Sequence, residues 1–215
     1  MSLEMHREKL VQIIEAINAR TPLKELDLLE IFGRAGDLQT EYYAPLVRSI
    51  EVWEIRETWR EALSKNIPCA TVKIVDSFKE IKTASRQFGF IVIDCPFLAA
   101  NDDHWEAFDL FSSLYGWLQP KSYVLMNLFH NPIRYLQLTR PTLLSKYWDG
   151  WGPLKRKSWK KARENFFNVK EPIPLEAMVN KYRRLPEAHG FKYSWDITVP
   201  HNEAVTYYAQ ELVAA

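Results

Sequence analysis

The spacing of apolar positions predicts an amphipathic helix over residues 5–20. One apolar residue or pair recurs every three or four positions, and charged residues occupy the other faces. Thr21-Pro22 ends this helix, because a proline disfavours helical geometry in the residue before it. The apolar face of the predicted helix carries Leu10, Ile13, Ile14 and Ile17.

From residue 26 onward, short apolar runs alternate with segments of helical pattern. The apolar runs are rich in β-branched and aromatic residues, and polar turns follow them. They predict five strands, Leu26–Phe32, Ser49–Ile55, Ala70–Val75, Phe88–Asp94 and Ser122–Phe129. The segments between them predict helices over residues 37–47 (capped by Asp37), 56–66, 78–86 and 103–118. This alternation predicts parallel strands joined by right-handed crossovers.

The C-terminal part of the sequence has a different pattern. Residues 130–172 show no clean strand and are rich in Trp, Tyr and Lys, and a helix is predicted over residues 174–189. Residues 191–199 and 204–213 then predict two strands around His201-Asn202-Glu203, which is a hairpin. The predicted fold is therefore α/β: a mostly parallel seven-stranded sheet with helices on both faces, closed by a C-terminal antiparallel hairpin.

Composition narrows the class of protein. The 215 residues are 47% hydrophobic and 26% charged, which excludes intrinsic disorder. The net charge of +1 excludes a polyanion binder that acts through bulk charge, although a local basic patch stays open. The two cysteines, Cys69 and Cys95, lack zinc-site spacing, so we expect no metal, no disulfide framework and a reduced, cytoplasmic protein. No apolar run is long enough to predict a membrane span.

Candidate chemistry lies at the strand ends, because ligands of open α/β sheets bind beyond the carboxyl ends of the strands. Glu30 precedes a turn that contains Gly33 and Gly36, and glycines let a backbone approach a ligand closely. A carboxylate there suits a cationic ligand group better than a pyrophosphate. The other interpretation is a tight turn beside a surface acid.

The next three strand ends also carry acids. Glu54 is placed to accept hydrogen bonds from the hydroxyls of a ribose. Asp76-Ser77 suits either the exocyclic amine of adenine or a helix N-cap, and both can hold. Asp94 ends the most apolar strand and is followed by Phe97, which either stacks on a planar group or packs in the core.

The order of strands and helices along the chain, these four strand ends and the terminal hairpin resemble a class I S-adenosylmethionine-dependent methyltransferase over residues 24–213. The resemblance implies a Rossmann-like domain at 24–215 after the helix at 1–23, with an insertion or lid at about 130–172. It implies a cofactor loop from Glu30 to Gly36, a ribose-binding Glu54 and an adenine-side Asp76. The cofactor site it implies is lined by Glu30, Phe32, Gly33, Gly36, Glu54, Ile55, Asp76, Ser77, Asp94 and Phe97.

Two motifs depart from the family pattern. The family usually has glycine two, four and six residues past the acid, where this chain has Phe32, Arg34 and Gly36, and Gly33 is out of step. The segment Asp94–Phe97 is similar to the Asp/Asn-Pro-Pro-aromatic motif of the branch that methylates amino nitrogens, with Cys95 in place of the first proline.

The resemblance implies an in-line displacement in which a nucleophile attacks the sulfonium methyl group. Asp94 would accept a hydrogen bond from the attacking group, and His130, after the fifth predicted strand, is the candidate general base. The other histidines are interpreted as surface or loop residues: His6, His104, His189 and His201.

The acceptor stays open between a small molecule, a nucleic acid and a protein. Residues 148–163 interleave aromatic and basic residues, a mixture that suits phosphate contacts and base stacking. The other interpretation is a lid docked through Trp159, Ala162 and Phe166, with its basic residues in water. The basic residues are Lys155, Arg156, Lys157, Lys160, Lys161 and Arg163.

Two other functions compete. The divergent glycine pattern is compatible with a non-catalytic subunit that keeps the fold and binds the cofactor or a partner. An NAD-dependent oxidoreductase is disfavoured, because the G-x-G-x-x-G fingerprint is absent and Glu30 would face the pyrophosphate.

Overall fold

A computed structural model describes residues 3–37, 39–83, 85–93, 108–139 and 152–215. Its strands are β1 (Asp27–Ile31), β2 (Ser49–Glu54), β3 (Ala70–Ile74), β4 (Phe88–Ile93), β5 (Leu118–Phe129), β6 (Phe191–Pro200) and β7 (Val205–Ala214). Its α-helices are α1 (Leu3–Arg20), α2 (Thr40–Tyr43), α3 (Arg60–Asn66), α4 (Ser77–Glu80), α5 (Phe111–Leu114), α6 (Pro132–Thr139), α7 (Pro153–Phe167) and α8 (Leu175–Arg184).

All seven strands form one sheet in the order β3-β2-β1-β4-β5-β7-β6. Strands β1 to β5 pair in parallel, and β7 pairs antiparallel with both β5 and β6. This confirms the predicted mostly parallel sheet and its terminal hairpin. The strand order reverses between β1 and β4, so their carboxyl ends flank the crevice where a doubly wound sheet binds ligands.

The register brings the ends of the parallel strands to one edge. Ile31 pairs with Trp53 on one side and with Ile93 on the other, and Ile93 pairs with Met126. Consequently, β1, β2 and β3 end close together at this edge, where the side chains of the segments that follow them can share one ligand.

Helices cover both faces of the sheet, because the buried strands present apolar side chains in both directions. On one face, α1, α2 and α3 pack on residues such as Leu28, Val52 and Phe90. On the other face, α4, α5, α7 and α8 pack on Leu29 and Ile91. The described part of the chain thus has two cores separated by the sheet.

A buried carboxylate ties the first helix to the C-terminal half of the sheet. Glu211 on β7 accepts hydrogen bonds from Arg20 Nε (3.0 Å), Tyr123 Oη (2.5 Å) and Ser194 Oγ (2.5 Å). Burial by itself would raise the pKa of Glu211, but these hydrogen bonds and the charge of Lys121 lower it to about 2. The first helix is therefore held to β5, β6 and β7 by charge as well as by its apolar face.

Several boundaries differ from the sequence prediction. The helix predicted over 78–86 is only Ser77–Glu80, and residues 108–117 of the helix predicted over 103–118 form one short α-helix between two 3₁₀ turns. The helix predicted over 37–47 is only Thr40–Tyr43 with a 3₁₀ turn after it, because Pro45 lacks the N–H that a continuing helix needs. Gln39, not Asp37, precedes this helix, so the predicted Asp37 cap was wrong. Strand β5 begins at Leu118 instead of 122. The prediction missed this start because residues 119–121 are partly or fully exposed and therefore lack an apolar pattern.

In the ranges given above, no helix combines the length and the apolar character that crossing a membrane requires.

Candidate functional site

The loop after β1 has an unusual backbone. Phe32, Arg34 and Gly36 adopt φ angles of +71°, +48° and +69°, in the left-handed region that glycine occupies most easily. These residues stand two, four and six positions past Glu30. The chain therefore keeps the backbone of a three-glycine turn although two of the three positions carry side chains.

The glycines of this loop are needed for packing. A Cβ atom on Gly33 would lie 2.1 Å from Val52 Cγ1, and one on Gly36 would lie 2.8 Å from Ile67 Cγ1. Both distances are shorter than van der Waals contact, so the loop approaches β2 and α3 only because these residues lack side chains. Gly33, which is out of step with the family pattern, thus has a structural function of its own.

Glu54 at the end of β2 binds this loop. Its Oε2 accepts a hydrogen bond from the backbone N–H of Arg34 (2.9 Å), and its Oε1 accepts one from the backbone N–H of Arg56 (2.8 Å). The backbone N–H groups of Phe32 and Gly33 both donate to the carbonyl oxygen of Trp53. The end of β2 therefore holds the loop after β1 through three backbone N–H donors of that loop, those of Phe32, Gly33 and Arg34.

Glu30, at the base of the loop, is fully buried. Its Oε1 accepts a hydrogen bond from Thr40 Oγ1 at 2.7 Å, at the first residue of α2. Thr40 is not among the predicted site residues. No local sequence pattern indicates this contact, because it forms only once the loop has folded back. Glu30 thus connects the predicted cofactor loop to the helix that follows it.

The end of β3 joins the same cluster. The backbone N–H of Val75 donates to the carbonyl oxygen of Glu54 (2.8 Å), and the Phe78 ring centroid lies 5.8 Å from that of Phe32. Asp76 Oδ1 accepts a hydrogen bond from the backbone N–H of Phe78 (3.1 Å), which confirms the predicted N-cap. Ser77 beside it is buried. The structure therefore brings the first three predicted strand ends together.

Two side chains of this cluster are at least partly exposed to solvent. Ile55, directly after Glu54, is 49% exposed, which is unusual for a large aliphatic residue at a strand end. The half-buried guanidinium of Arg34 lies over the Trp59 ring, 5.5 Å from the centroid. An exposed apolar side chain beside a carboxylate and a cation can contact a flat ligand that carries polar groups.

Asp94 and Phe97, the predicted residues at the end of β4, lie outside the residues that the structure describes. Nothing in the structure therefore tests the motif from Asp94 to Phe97.

The end of β5 carries the candidate base and a buried arginine. His130 is half-buried, and burial together with the charge of Arg163 lowers its pKa below the ordinary value. Arg163 is fully buried, donates to the carbonyl oxygen of Phe129 (2.9 Å) and forms an ion pair with Glu171 (2.6 Å). A buried, paired guanidinium cannot contact nucleic acid, so the inclusion of Arg163 among the predicted phosphate contacts was wrong.

Other side chains of this segment also pack inward. Helix α7 buries Trp159, Arg163 and Phe167, while Ala162 and Phe166 are half-buried. His201 lies in the loop between β6 and β7, as predicted, although it is buried there. Its ring packs against Tyr207, with 5.1 Å between centroids.

Among the residues whose positions are given, no group of three or more His, Cys, Asp or Glu side chains could hold a metal ion.

Comparison with solved structures shows which fold this is. The N-methyltransferase NodS from Bradyrhizobium japonicum WM9, in complex with S-adenosylhomocysteine, has a TM-score of 0.59, with 12% identity over 96% of this chain and 87% of that chain. Magnesium protoporphyrin IX methyltransferase (ChlM) from Synechocystis PCC 6803, with the same bound molecule, has a TM-score of 0.59, with 11% identity over 99% and 84%.

A third structure, DhpI with S-adenosylhomocysteine, has a TM-score of 0.56, with 10% identity over 97% of this chain and 93% of that chain. No protein-family model matches the chain, and no curated protein matches it by sequence. The similarity of the backbones therefore shows that the chain has the class I methyltransferase fold. Sequence identities of 10–12% would not show this by themselves.

Proposed function

We propose that this protein transfers a methyl group from S-adenosylmethionine to an acceptor. The observation that carries the proposal is the backbone of the loop after β1. Three left-handed residues stand two, four and six positions past Glu30, at the point where the strand order reverses. This conformation is costly for Phe32 and Arg34, and a costly conformation that persists in a crevice favours a function for the loop.

The residues around this loop fit the cofactor. Each oxygen of the Glu54 carboxylate uses one lone pair for a backbone N–H, so each keeps one for a ribose hydroxyl. Asp76 keeps acceptor capacity for an adenine amine in the same way. The exposed side chain of Ile55 offers an apolar surface to the adenine ring.

When bound, S-adenosylmethionine supplies a methyl group that its sulfonium centre already activates, so the protein has mainly to orient and desolvate the reactants. In this proposal Glu54 and Asp76 fix the nucleoside, and the loop from Glu30 to Gly36 encloses the aminoacyl end. His130 is neutral at pH 7 because its pKa is lowered, so its imidazole can take a proton from the acceptor. The role that the sequence assigns to Asp94, accepting a hydrogen bond from the attacking group, stays part of the proposal.

A second function, cofactor binding without methyl transfer, is favoured by one observation. Phe32 and Arg34 carry side chains at two left-handed positions where the family usually has glycine.

Calorimetry with S-adenosylhomocysteine, with NAD as the comparison ligand, tests the proposal. We expect binding of S-adenosylhomocysteine and no binding of NAD, and absence of the first would overturn the proposed function. Incorporation of tritiated methyl groups into a panel of nucleic acids, proteins and small amines then distinguishes the two functions. Binding without incorporation into any of them would favour the second.

A further inference from the structure

Helix α7 lies at the same edge of the sheet as the candidate site. Arg163 fastens it there, because its guanidinium donates to the carbonyl oxygen of Phe129, the last residue of β5. Strand β5 is parallel to β4 and β1, so this edge is the one that carries Glu30 and Glu54. The ion pair of Arg163 with Glu171 holds the helix from its other side.

The charge of this helix differs from that of the rest of the chain. Residues 153–167 contain six basic residues and one acidic residue, whereas the whole chain has a net charge of only +1. The remaining residues together are therefore net acidic. The positive charge is concentrated beside the site instead of being spread over the surface.

The outer face of α7 presents part of that charge to solvent. Lys157, Lys160 and Lys161 are exposed, and within the described ranges their ammonium groups make no ion pair or hydrogen bond. Lys157 and Lys161 stand four residues apart, where like charges on a helix repel each other. Among the described residues no carboxylate forms an ion pair with either lysine, whereas Glu171 neutralises Arg163 on the inner face.

We propose that this face, defined by Lys157, Lys160 and Lys161, binds the phosphate backbone of a nucleic acid and presents it to the methyl-transfer site. The acceptor part of this inference rests on the proposed function. Lysine ammonium groups act as point charges toward phosphates. The Trp159 indole is buried, so the face offers charge and no stacking surface, and binding will depend little on base sequence.

The test uses the full chain and a fluorescein-labelled single-stranded RNA of about 20 nucleotides, followed by anisotropy from about 50 to about 200 mM NaCl. The variant K157Q/K160Q/K161Q is compared with K24Q/K65Q/K82Q, which removes the same charge from exposed lysines on other elements. We expect the wild-type affinity to fall steeply with salt. Loss of three phosphate contacts reduces the log–log salt slope by about 2, and the control variant keeps the wild-type slope.

Salt-independent binding, no binding, or equal behaviour of the two triple variants would overturn the inference. Equally tight binding of polyglutamate of similar length would also overturn it, in favour of an acidic protein partner. S-adenosylhomocysteine calorimetry separates this failure from that of the proposed function. A chain that binds S-adenosylhomocysteine and no RNA refutes only the inference. One that binds RNA and no S-adenosylhomocysteine refutes the proposed function, and with it the acceptor part of the inference, but not the binding of phosphates by this face.

Discussion

The carboxylate of Glu54 fixes the backbone of Arg34, whose N–H lies 2.9 Å from Glu54 Oε2. Arg34 is in the left-handed region at φ +48°, so an acid at the end of β2 helps to hold a costly conformation in the loop after β1. One side chain thus has two expected functions, shaping the loop and binding the ribose.

Replacement of Glu54 tests this relationship. We expect Glu54→Gln to lower the free energy of unfolding by about 1–2 kcal/mol, because a charged acceptor of two backbone donors becomes neutral. We expect the same change to weaken S-adenosylhomocysteine binding at least about 10-fold. Denaturant titration and calorimetry measure the two effects. Glu61→Gln, on an exposed position of α3, is the control, and an unchanged affinity of Glu54→Gln would contradict the ribose assignment.

The contact of Gly33 with β2 predicts a steric effect. We expect Gly33→Ala to destabilise the protein by about 2 kcal/mol, because the new Cβ lies 2.1 Å from Val52 Cγ1. The double variant Gly33→Ala/Val52→Ala should lose less stability than the sum of the losses in the two single variants, because the clash is then removed. Urea unfolding measures all three variants. Gly152→Ala, with no atom within 4 Å of its Cβ, is the matched control, and additive costs would show that the clash is absent.

The conformation of Arg34 predicts a difference between two small residues. Both Arg34→Gly and Arg34→Ala remove the contact with Trp59, but only glycine relieves the left-handed backbone. We expect Arg34→Gly to be more stable than Arg34→Ala by about 1 kcal/mol. Thermal unfolding compares them, and equal melting temperatures would show that the loop is not held in this conformation.

The lowered pKa of Glu211 predicts acid sensitivity. The pKa of Glu211 is about 2 in the folded protein and near 4.5 without its partners, so its contribution to stability is complete above the higher value. This contribution is lost as pH falls toward 2, because the unfolded chain then binds the proton more readily. We expect Glu211→Gln to lower stability at pH 7 by about 3 kcal/mol. In the Glu211→Gln variant the free energy of unfolding should also change less with pH between the two pKa values. If the variant loses stability in acid as steeply as the wild type, other groups cause the acid sensitivity.

The lowered pKa of His130 predicts a pH profile. Because burial and Arg163 favour the neutral imidazole, NMR titration should give a pKa below 6.5. If His130 is the base, methyl transfer rises with pH through that pKa and is level above it. His130→Gln should be slower and should lose the inflection. An inflection that persists in the variant would place the base elsewhere.

Much of the fold follows from local pattern. Strands β1, β2 and β4 are buried and therefore appear as apolar runs, whereas the partly exposed edge strand β3 is indicated by its β-branched residues. The predicted ends of these four strands agree with the structure to within two residues. The start of β5 was missed because Gln119, Pro120 and Lys121 extend the strand into solvent, where no apolar pattern is required.

The site was less predictable, because its contacts join distant segments. The sequence indicates Glu30 and Glu54 as strand-end acids, but nothing in it shows that Thr40 and Arg34 bind them. The burial of Arg163 depends on Glu171 and on the end of β5, and the helical pattern around it resembles that of a surface lysine-rich helix. The left-handed φ angles of Phe32 and Arg34 could not be predicted, because residues other than glycine rarely adopt them.

The position of β7 has a consequence for how the sheet is completed during synthesis. Strand β7 follows the other six strands of this sheet along the chain, yet it fills an interior place between β5 and β6. Until residues 205–214 leave the ribosome, residues 121–129 of β5 lack the strand with which they pair in the folded sheet. Open edges of this kind pair readily with other chains. The nascent chain is therefore most exposed to aggregation just before its last strand closes the sheet.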